Sequence, residues 1–552
     1  MNRRTDFLFI IIVLFCSGCS NRTSKIAITP VNPPRIVNII NFIRQLEPRN
    51  AAITEDVLYE TVAQQVQQLN EYQLPATFLL QYDALMNPRY WELLKNRLYP
   101  GSEVGAWWEI TQPHVEDAGL KWRGRYPWDW HADVGFATGY TPAEREKLVD
   151  VYMEKFKSIF GKYPASVGSW FIDAHSLAYM YDKYHIVASC NCKDQIGTDG
   201  YTLWGGYWNQ AYYPSRKNAY MPAQNEAAQI PVPVFRMLGS DPIYQYDVSL
   251  GGHVQEVISL EPASRRSGDN RHWVEWFFRS MFDDPCLNFN YVQAGQENSF
   301  TWNTMKTGLE IQIPLLDSLQ QQGKIRVETL ETTGKWFRER YAVTPPTALS
   351  ALTDCRNEGR RTVWFNSRYY RANLLWKDDS FRFRDIHLFD ERLVSDYLTK
   401  VATSNQCIYT TLPIVDGFQW STVDDLAGLR FKKIEKDGST TELKTDDPVI
   451  TTPVADVLQI ACKSKSGEQF TITFHEDRME INCRAAKDFL WMLELDTAPD
   501  KELPFTSIEK QDIKAVLNGF EYGITCTEGS FEKTEKAFRV VPSNNRLTIM
   551  MK

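Results

Sequence analysis

Apolar runs and amphipathic stretches alternate along the chain from Arg35 to about residue 340. After the run 36–42, the residues Leu58, Val62, Val66 and Leu69 recur every three or four positions, which predicts a strand and then a helix. Further apolar runs of strand length lie at 75–82, 102–110, 166–173, 185–190, 232–238, 286–292 and 324–330. This pattern predicts an α/β fold, a (β/α)7-8 barrel with a parallel sheet inside and helices outside.

Two of the predicted helices begin with capping residues. Thr54 stands before Glu55 and Asp56, as an N-cap does before an acidic first turn. The stretch 141–144, Thr-Pro-Ala-Glu, has the form of a capping box with proline at the first helical position. A glycine-rich phosphate loop does not follow the first strand, which counts against a dinucleotide-binding fold.

After Pro345 and Pro346 the pattern changes to an alternation of apolar and polar residues with polar turns between. In one such stretch Phe470, Ile472 and Phe474 share a face. Met479 and Ile481 are predicted to lie opposite them on the next strand, after a turn at 476–477. This alternation predicts a C-terminal antiparallel β-sandwich-like domain. We therefore expect a barrel domain at 35–344, the catalytic domain, and a sandwich domain at 345–552.

The first 34 residues predict export. Two arginines at 3–4 precede an apolar run at 7–15 that is shorter than a bilayer-spanning helix of about 20 residues. Ser17, Gly18 and Cys19 then resemble a bacterial lipobox, which predicts a signal peptide at 1–18, lipidation of Cys19 and a polar tether at 19–34. We expect a protein that is lipid-anchored to the cell envelope, on the periplasmic or the cell-surface side, and that meets the membrane through the lipid alone.

Composition narrows the classes of partner. The net charge is −8 and no basic cluster occurs, which argues against a nucleic-acid partner. The chain has 17 tryptophans and 26 tyrosines, and such rings usually fill cores. Exposed aromatic rings can stack on sugar faces, so an oligo- or polysaccharide is the expected partner.

Candidate site residues follow from the rule that active sites of parallel barrels lie at the carboxyl ends of the strands. Those strand ends and the 111–140 loop supply the candidates, namely Arg44, Glu47, Trp107, Trp108, Glu109, Trp128, Asp129, Trp130, His131, Asp133, Asp173, His175, Gln293, Gln296, Glu297, Asn298, Phe300 and Trp302. Glu297 stands out because a carboxylate among amide side chains and aromatic rings is costly to hold unless something uses it.

Several candidates have a structural alternative. Glu47 could pair with neighbouring arginines, and Asp173 could be the N-cap of the helix that follows it. One of the adjacent Trp107 and Trp108 should lie in the core, since neighbouring residues of a strand face opposite sides. Asp129, His131 and Asp133 could bind a metal, or they could simply be solvent-facing polar residues of a loop.

The predicted barrel resembles the glycoside hydrolase and polysaccharide deacetylase (NodB-like) superfamily. The resemblance covers about 35–340 and rests on the polar cluster after the first strand and on "ATFLLQYDAL" followed by "SEVGAWWEI". A barrel and a sandwich on a lipoprotein also resemble a two-domain Bacteroidetes family. The deacetylase metal motifs are missing, because Ile43 and Arg44 stand where that family has an aspartate pair and Trp107 and Thr111 where it has two histidines.

Carboxylates and aromatic rings without that metal set suit glycoside hydrolysis by a pair of acids. We expect a glycoside hydrolase without a cofactor or metal in which Glu297 is the acid or the nucleophile and Glu109 or Asp173 is its partner. One alternative is a metal-dependent deacetylase with a relocated site at Asp129, His131, Asp133 and His175. The other is a glycan-binding lipoprotein that has lost catalysis.

Overall fold

The computed structural model describes residues 33–486 and 488–552. The predicted signal peptide, nearly all of the tether and the lipidation site Cys19 lie outside these residues. In the described part of the chain, no helix is both long enough and apolar enough to cross a membrane.

The N-terminal part alternates strands with helices, as the apolar pattern predicts. Its strands are β1 (Arg35–Ile43), β2 (Thr77–Leu80), β3 (Glu103–Trp107), β4 (Ser166–Gly168), β5 (Ala188–Asn191), β6 (Gln195–Thr198), β7 (Tyr201–Trp204), β8 (Ala211–Tyr212), β9 (Pro214–Ser215), β10 (Asn218–Pro222), β11 (Val234–Arg236), β12 (Cys286–Leu287), β13 (Asn290–Ala294) and β14 (Arg326–Glu328). Its helices are α1 (Glu55–Glu71), α2 (Tyr82–Met86), α3 (Pro88–Arg97), α4 (Gln112–Asp117), α5 (Pro142–Phe160), α6 (Ala174–Tyr184), α7 (Arg271–Phe282), α8 (Trp302–Gln321) and α9 (Leu330–Arg340).

A mostly parallel sheet forms the centre of this part. Its strand order is β13-β1-β2-β3-β4-β5-β11-β8, with β14 also on β1, and only β8 runs antiparallel to its neighbour. Between β11 and β13 the sheet is joined by side chains. Gln293 Oε1 accepts a bond of 2.6 Å from the N–H of Leu238, and Gln210 Oε1 accepts one of 3.0 Å from the N–H of Tyr291. The sheet is therefore a nearly closed barrel.

The two faces of this sheet pack into separate apolar layers. Val37 and Ile39 lie on the side that packs against α1, and Ile36 and Ile40 lie on the other side. All four are at most 1% exposed. A strand apolar on both faces needs helices on the outside, which explains why the apolar runs in the sequence are continuous rather than alternating.

The helix starts are those the sequence predicts. Thr54 caps α1 by accepting the N–H of Val57, and Thr141 and Glu144 form the capping box of α5. The α5 helix ends at Gly161 with φ of 75°, a conformation that glycine adopts without strain. Both capping predictions are confirmed.

The C-terminal part consists of antiparallel sheets. Its strands are β15 (Thr347–Ala351), β16 (Arg360–Asn366), β17 (Tyr370–Lys377), β18 (Ser380–Leu388), β19 (Cys407–Thr410), β20 (Leu412–Asp416), β21 (Gly428–Ile434), β22 (Thr440–Glu442), β23 (Val449–Thr451), β24 (Leu458–Lys463), β25 (Gln469–Phe474), β26 (Arg478–Arg484), β27 (Leu490–Asp496), β28 (Phe505–Ile508), β29 (Asp512–Leu517), β30 (Phe520–Glu528), β31 (Ser530–Lys533), β32 (Phe538–Val541) and β33 (Arg546–Met550). One sheet has the order β12-β15-β16-β17-β18-β21-β27-β32-β31, and another has β23-β24-β25-β26-β33-β30-β29-β28.

The hairpin of β25 and β26 confirms the alternation predicted from the sequence. Ile472 lies opposite Ile481, and Phe474 lies opposite Met479. All four side chains are at most 1% exposed.

Two strand pairings connect the N-terminal and C-terminal parts. The short strand β12 pairs with β15, and β19 pairs in parallel with β7. The predicted division into a barrel domain at 35–344 and a sandwich domain at 345–552 stays a prediction, since residues 33–552 form one compact unit.

Candidate active site

The carboxyl ends of β1, β3 and β13 bring three charged side chains together. Arg44 follows β1 and donates to Glu109 after β3 through Nε at 2.9 Å and Nη2 at 2.6 Å. Its third nitrogen, Nη1, lies 2.7 Å from Oε2 of Glu297 after β13, an ion pair without good hydrogen-bond alignment. We call Arg44, Glu109 and Glu297 the Arg44 cluster. The sequence prediction that Glu109 and Glu297 share one strand-end region agrees with this arrangement.

The Arg44 cluster is almost sealed from solvent. Arg44, Glu109 and Glu297 are 2%, 1% and 4% exposed. Burial raises the pKa of Glu297, the positive charge of Arg44 opposes this shift, and the negative charge of Glu109 adds to it. Two carboxylates face one guanidinium, so the cluster carries one negative charge when both are ionised.

Backbone and amide contacts fix the positions of Arg44 and Glu297. Asn298 accepts the N–H of Arg44 at 2.9 Å and donates to its carbonyl at 2.7 Å, which ties the end of β1 to the loop after β13. Gln296 accepts the N–H of Glu297 at 2.8 Å, and Ser299 donates to Glu297 Oε1 at 2.6 Å. The amide-rich stretch after β13 thus holds the carboxylate in place.

Gly295 lets this loop cross close to β1. Its φ is 86°, and a Cβ atom at this position would lie 2.4 Å from the carbonyl oxygen of Ile40. A residue with a side chain would push the loop, and Glu297 with it, away from Arg44.

The end of β2 adds two polar groups that the sequence prediction did not include. Gln81 donates to Glu109 Oε2 at 2.8 Å. Asp83 is 3% exposed, and burial raises its pKa to about 7, with the charge of Glu109 adding to the shift. Glu109 therefore accepts three side-chain bonds and serves mainly to hold Arg44.

Aromatic rings lead from the Arg44 cluster toward solvent. The guanidinium of Arg44 lies 4.1 Å from the ring centre of Trp128, which is 1% exposed. Arg49 lies over both Trp128 and Trp130, at 5.2 and 5.4 Å. Trp130 stacks on Tyr126, which is 41% exposed, with 6.0 Å between ring centres. Glu47 pairs with Arg49 at 2.7 Å beside this path, as its structural alternative predicts.

Glu261 and Lys193 extend the site beyond the predicted residues. Lys193 follows β5, is 2% exposed and donates to the carbonyl of Asp194 at 3.2 Å. Glu261 lies next to Leu260, which hydrogen-bonds to Leu238 after β11. Over the described residues, neither Lys193 nor Glu261 has an ion-pair partner within 4.0 Å.

The titration of Glu261 is tied to the Arg44 cluster. Burial raises the pKa of Glu261 to about 7, and the negative charge of Glu297 raises it further, whereas Lys193 opposes the shift. Burial also disfavours the charged form of Lys193 and so lowers its pKa. The charge of Glu261 opposes that change. Glu261 and Glu297 are therefore two neighbouring acids in unlike surroundings: Glu297 has a guanidinium beside it and Glu261 does not.

Asp173 and His175 are held by other partners. Asp173 caps α6 through the N–H of Ser176 and pairs with the buried Arg145 at 2.9 Å. His175 lies 3.0 Å from Glu146. In the region covered by the structure, no hydrogen bond or ion pair joins Asp173 to the Arg44 cluster. Asp173 is the N-cap of α6, which is the structural alternative given for it above. A catalytic role for Asp173 stays a prediction.

The acids and histidines of the 111–140 loop are not gathered around a common point. Asp129 is held by Arg125 through bonds of 2.7 and 2.9 Å and accepts the N–H of His131. Within residues 33–486 and 488–552, no group of three or more histidine, cysteine or acidic side chains is arranged to hold a metal ion. The relocated set of Asp129, His131, Asp133 and His175 does not form a metal-binding group here.

Three predicted tryptophans lie away from any open cleft at the strand ends. Trp107 and Trp108 face opposite sides of β3, as expected, but both are buried, at 0% and 1% exposed. Trp107 stacks on Phe42 at 4.1 Å. Trp302 is the first residue of α8 and lines a groove on the outer helical layer. Sugar stacking by these three rings stays a prediction.

The residues that the sequence prediction missed fall into two groups. Gln81 and Asp83 lie at the end of a predicted strand and could have been found by the strand-end rule. Lys193 could also have been found there, because it comes two residues after β5. Glu261 lies in the irregular segment between β11 and α7, where no periodicity shows which residues return to the sheet.

Comparisons with known proteins extend this description only at the level of fold. No family model matches the sequence, and neither does any curated protein. The structure is similar to that of a suspected glycoside hydrolase/deacetylase from Parabacteroides distasonis, with a TM-score of 0.51 and 15% identity over 69% of this chain and 90% of that chain. A suspected polysaccharide deacetylase from Mycobacterium smegmatis gives a TM-score of 0.35 at 10% identity, over 56% of this chain and 93% of that chain. The first likeness shows a shared fold and says nothing of activity, and the second is too weak to carry an argument.

Proposed function

We propose that this protein is a carbohydrate-active enzyme, a glycoside hydrolase whose site lies at the carboxyl ends of the barrel strands. The proposal rests above all on the convergence of Glu109 and Glu297 on Arg44 at that end of the sheet, with Glu261 as a further acid whose pKa the charge of Glu297 raises. Glycoside hydrolysis needs one acid that keeps its proton and one that is ionised. The sheet itself is best described as a (β/α)7-type barrel that is bridged by side chains between β11 and β13.

The roles follow from the contacts of each acid. The charge of Arg44 favours the ionised form of Glu297 against the effect of burial, and in this proposal Glu297 attacks the sugar or activates water. Glu261 has no direct partner, and its pKa of about 7 lets it hold the proton that the leaving oxygen requires. Glu109 is a positioning residue because both of its oxygens are taken by Arg44 and Gln81.

The substrate would enter past the exposed aromatic rings. Tyr126 and Trp130 stack on each other near Arg49 and offer apolar surface for a sugar face. Trp128 separates this surface from the Arg44 cluster. The protein of similar fold from Parabacteroides distasonis is a suspected glycoside hydrolase/deacetylase, which is compatible with a carbohydrate substrate here.

One observation favours a second candidate function, a glycan-binding protein that has lost catalysis. The three residues of the Arg44 cluster are at most 4% exposed, and Arg44 forms ion pairs with both carboxylates. A catalytic site needs access for its substrate, so the hydrolase proposal requires the 111–140 loop to move aside.

A screen of product chemistry tests the proposal. The purified protein is incubated with a panel of neutral and acidic polysaccharides, and new reducing ends and free acetate are measured in the same reactions. We expect new reducing ends, which are lost in Glu261→Gln. Acetate without reducing ends would favour the deacetylase alternative, and neither product together with measurable binding would favour the glycan-binding protein.

We also propose that the mature protein is lipid-anchored through Cys19. The support is the short apolar run that ends at Ser17 and Gly18 before this cysteine. Cys19→Ser, expressed in a bacterial host and fractionated, should leave the membrane fraction. Retention of the variant in that fraction would contradict the anchor.

A further inference from the structure

The outer helical layer carries a polar groove that the proposed active site does not use. It lies between α1 and α8 and has a volume of about 420 Å³, within the range of roughly 300–1,000 Å³ that is usual for small-molecule sites. Its lining residues are Gln64, Gln67, Gln68, Glu71, Tyr72, Trp302, Lys306 and Glu310. We call it the α1–α8 groove.

The groove is built by regular spacing on two helices. On α1 the positions 64, 67–68 and 71 recur every three or four residues, so their side chains share one face, and Tyr72 follows at the helix end. Trp302, Lys306 and Glu310 lie four apart on α8. This face of α1 presents amides rather than the charged pairs that usually cover an exposed helix.

Gln68 is the observation that points to a ligand. The residue is 9% exposed and lines the groove. Across the described part of the chain, its side-chain amide has no hydrogen-bond partner. Its amide is therefore free to donate to and accept from the hydroxyl groups of a ligand that enters the groove.

We propose that the α1–α8 groove binds a neutral oligosaccharide, separately from the strand-end site. The amides of Gln67 and Gln68 can both donate to and accept from sugar hydroxyls. The partly buried rings of Tyr72 and Trp302 give flat apolar surface beside them.

Charge decides between neutral and acidic glycans. Lys306 pairs with Glu310 at 3.6 Å, which leaves Glu71 as the unbalanced charge of the groove. A net negative groove disfavours uronic acids and sulfated sugars, so neutral chains are the expected ligands.

Affinity electrophoresis tests the groove without depending on turnover. The parent protein is Glu297→Gln, which keeps the glycan intact, and the probes are starch, xylan, mannan, alginate and polygalacturonate embedded in native gels. We expect at least one neutral polysaccharide to retard the parent. Trp302→Ala and Gln68→Ala should each lose most of that retardation, whereas Trp91→Ala, which removes a partly buried ring from the outer face of α3, should keep it.

Three outcomes would overturn the groove proposal. They are no retardation of the parent by any neutral polysaccharide, equal retardation of the parent and both groove variants, and retardation by acidic chains only. Circular dichroism and melting temperature show whether Trp302→Ala folds, and the smaller change Gln68→Ala decides if it does not. If the hydrolase proposal is wrong, the product screen will show no new reducing ends. The electrophoresis measures binding alone, so its result does not depend on that screen.

Discussion

Two regions of this protein place one arginine between two acids, and the two differ in what surrounds them. At the strand ends Arg44 lies between Glu109 and Glu297. Where the barrel meets the C-terminal sheets, Arg371 lies between Asp194 and Asp385, at 2.5 and 2.7 Å. We call this second group the junction network.

The junction network is fully satisfied. Asp194 also accepts from Arg236, from Tyr220 and from the N–H of Gly205. Burial opposes ionisation of Asp194, but Arg371 and Arg236 hold its pKa below the ordinary value. Every charge has a direct partner, which is what a structural ion network needs.

The neighbours of the Arg44 cluster are not satisfied in this way. Asp83 and Glu261, whose charges couple to Glu109 and Glu297, have no ion-pair partners in the described residues, and desolvation raises the pKa of both acids to about 7. Acids that are disfavoured in their ionised form in this way are typical of functional sites. The comparison therefore supports a structural role for the junction network and agrees with the proposal that the Arg44 cluster is the site of chemistry.

The largest loss of stability is expected in the junction network. Arg371→Met leaves Asp385 and part of Asp194 buried without their counter-ion, which should cost about 3–5 kcal/mol. The midpoint of urea unfolding measures this loss. Arg392→Met is the matched control, because it removes an exposed arginine paired with Asp390 and should cost less than about 1 kcal/mol. Similar losses of stability in Arg371→Met and Arg392→Met would contradict the structural role of the junction network.

Arg44→Met should cost less, and its cost should depend on pH. Without Arg44 nothing opposes the rise in the pKa of the buried Glu297, so this carboxylate takes up a proton more readily. The folded variant then holds protons that the unfolded chain releases, so its loss of stability is larger at pH 8 than at pH 5. Urea unfolding of wild type and variant at both pH values checks this. An equal loss of stability at pH 5 and pH 8 would contradict proton uptake by the folded variant.

The smallest of these effects concerns Glu261. Its folded-state pKa of about 7 lies above the ordinary value of 4.5, so the folded protein keeps a proton that the unfolded chain releases between those values. The free energy of unfolding that Glu261 contributes is therefore present below pH 4.5 and falls as the pH rises toward 7. Glu261→Gln should lack this fall, which thermal unfolding across that range would detect. Parallel curves for wild type and variant would contradict the shifted pKa.

Much of the fold could be predicted because the apolar pattern acts locally. The continuous run of β1, the caps Thr54 and Thr141, and the alternation of Phe470 to Ile481 each specify one element from nearby residues. The strand-end rule also predicts that Glu109 and Glu297 share one end of the sheet, because it depends on chain direction alone.

The rest of the site depends on contacts that sequence spacing does not encode. Glu261 lies in an irregular segment, and Trp302, the first residue of α8, lines a groove between helices. Arginine partners decide the state of each acid, and the sequence does not show that Arg145 takes Asp173 whereas Arg44 takes Glu297.

The central claim is tested most directly by the turnover per folded molecule of Glu297→Gln. The substitution changes a cluster with one net negative charge into a neutral pair of Arg44 and Glu109, so the melting temperature should change little. Turnover of the polysaccharide identified by the screen should fall by roughly a hundredfold or more. Glu103→Gln is the control, because Glu103 is a buried barrel glutamate at the opposite end of β3, bonded to Thr77 and to the N–H of Glu331. We expect Glu103→Gln to lose stability and keep its turnover. The opposite pattern, with Glu297→Gln destabilised but still active, would contradict the assignment of chemistry to the Arg44 cluster.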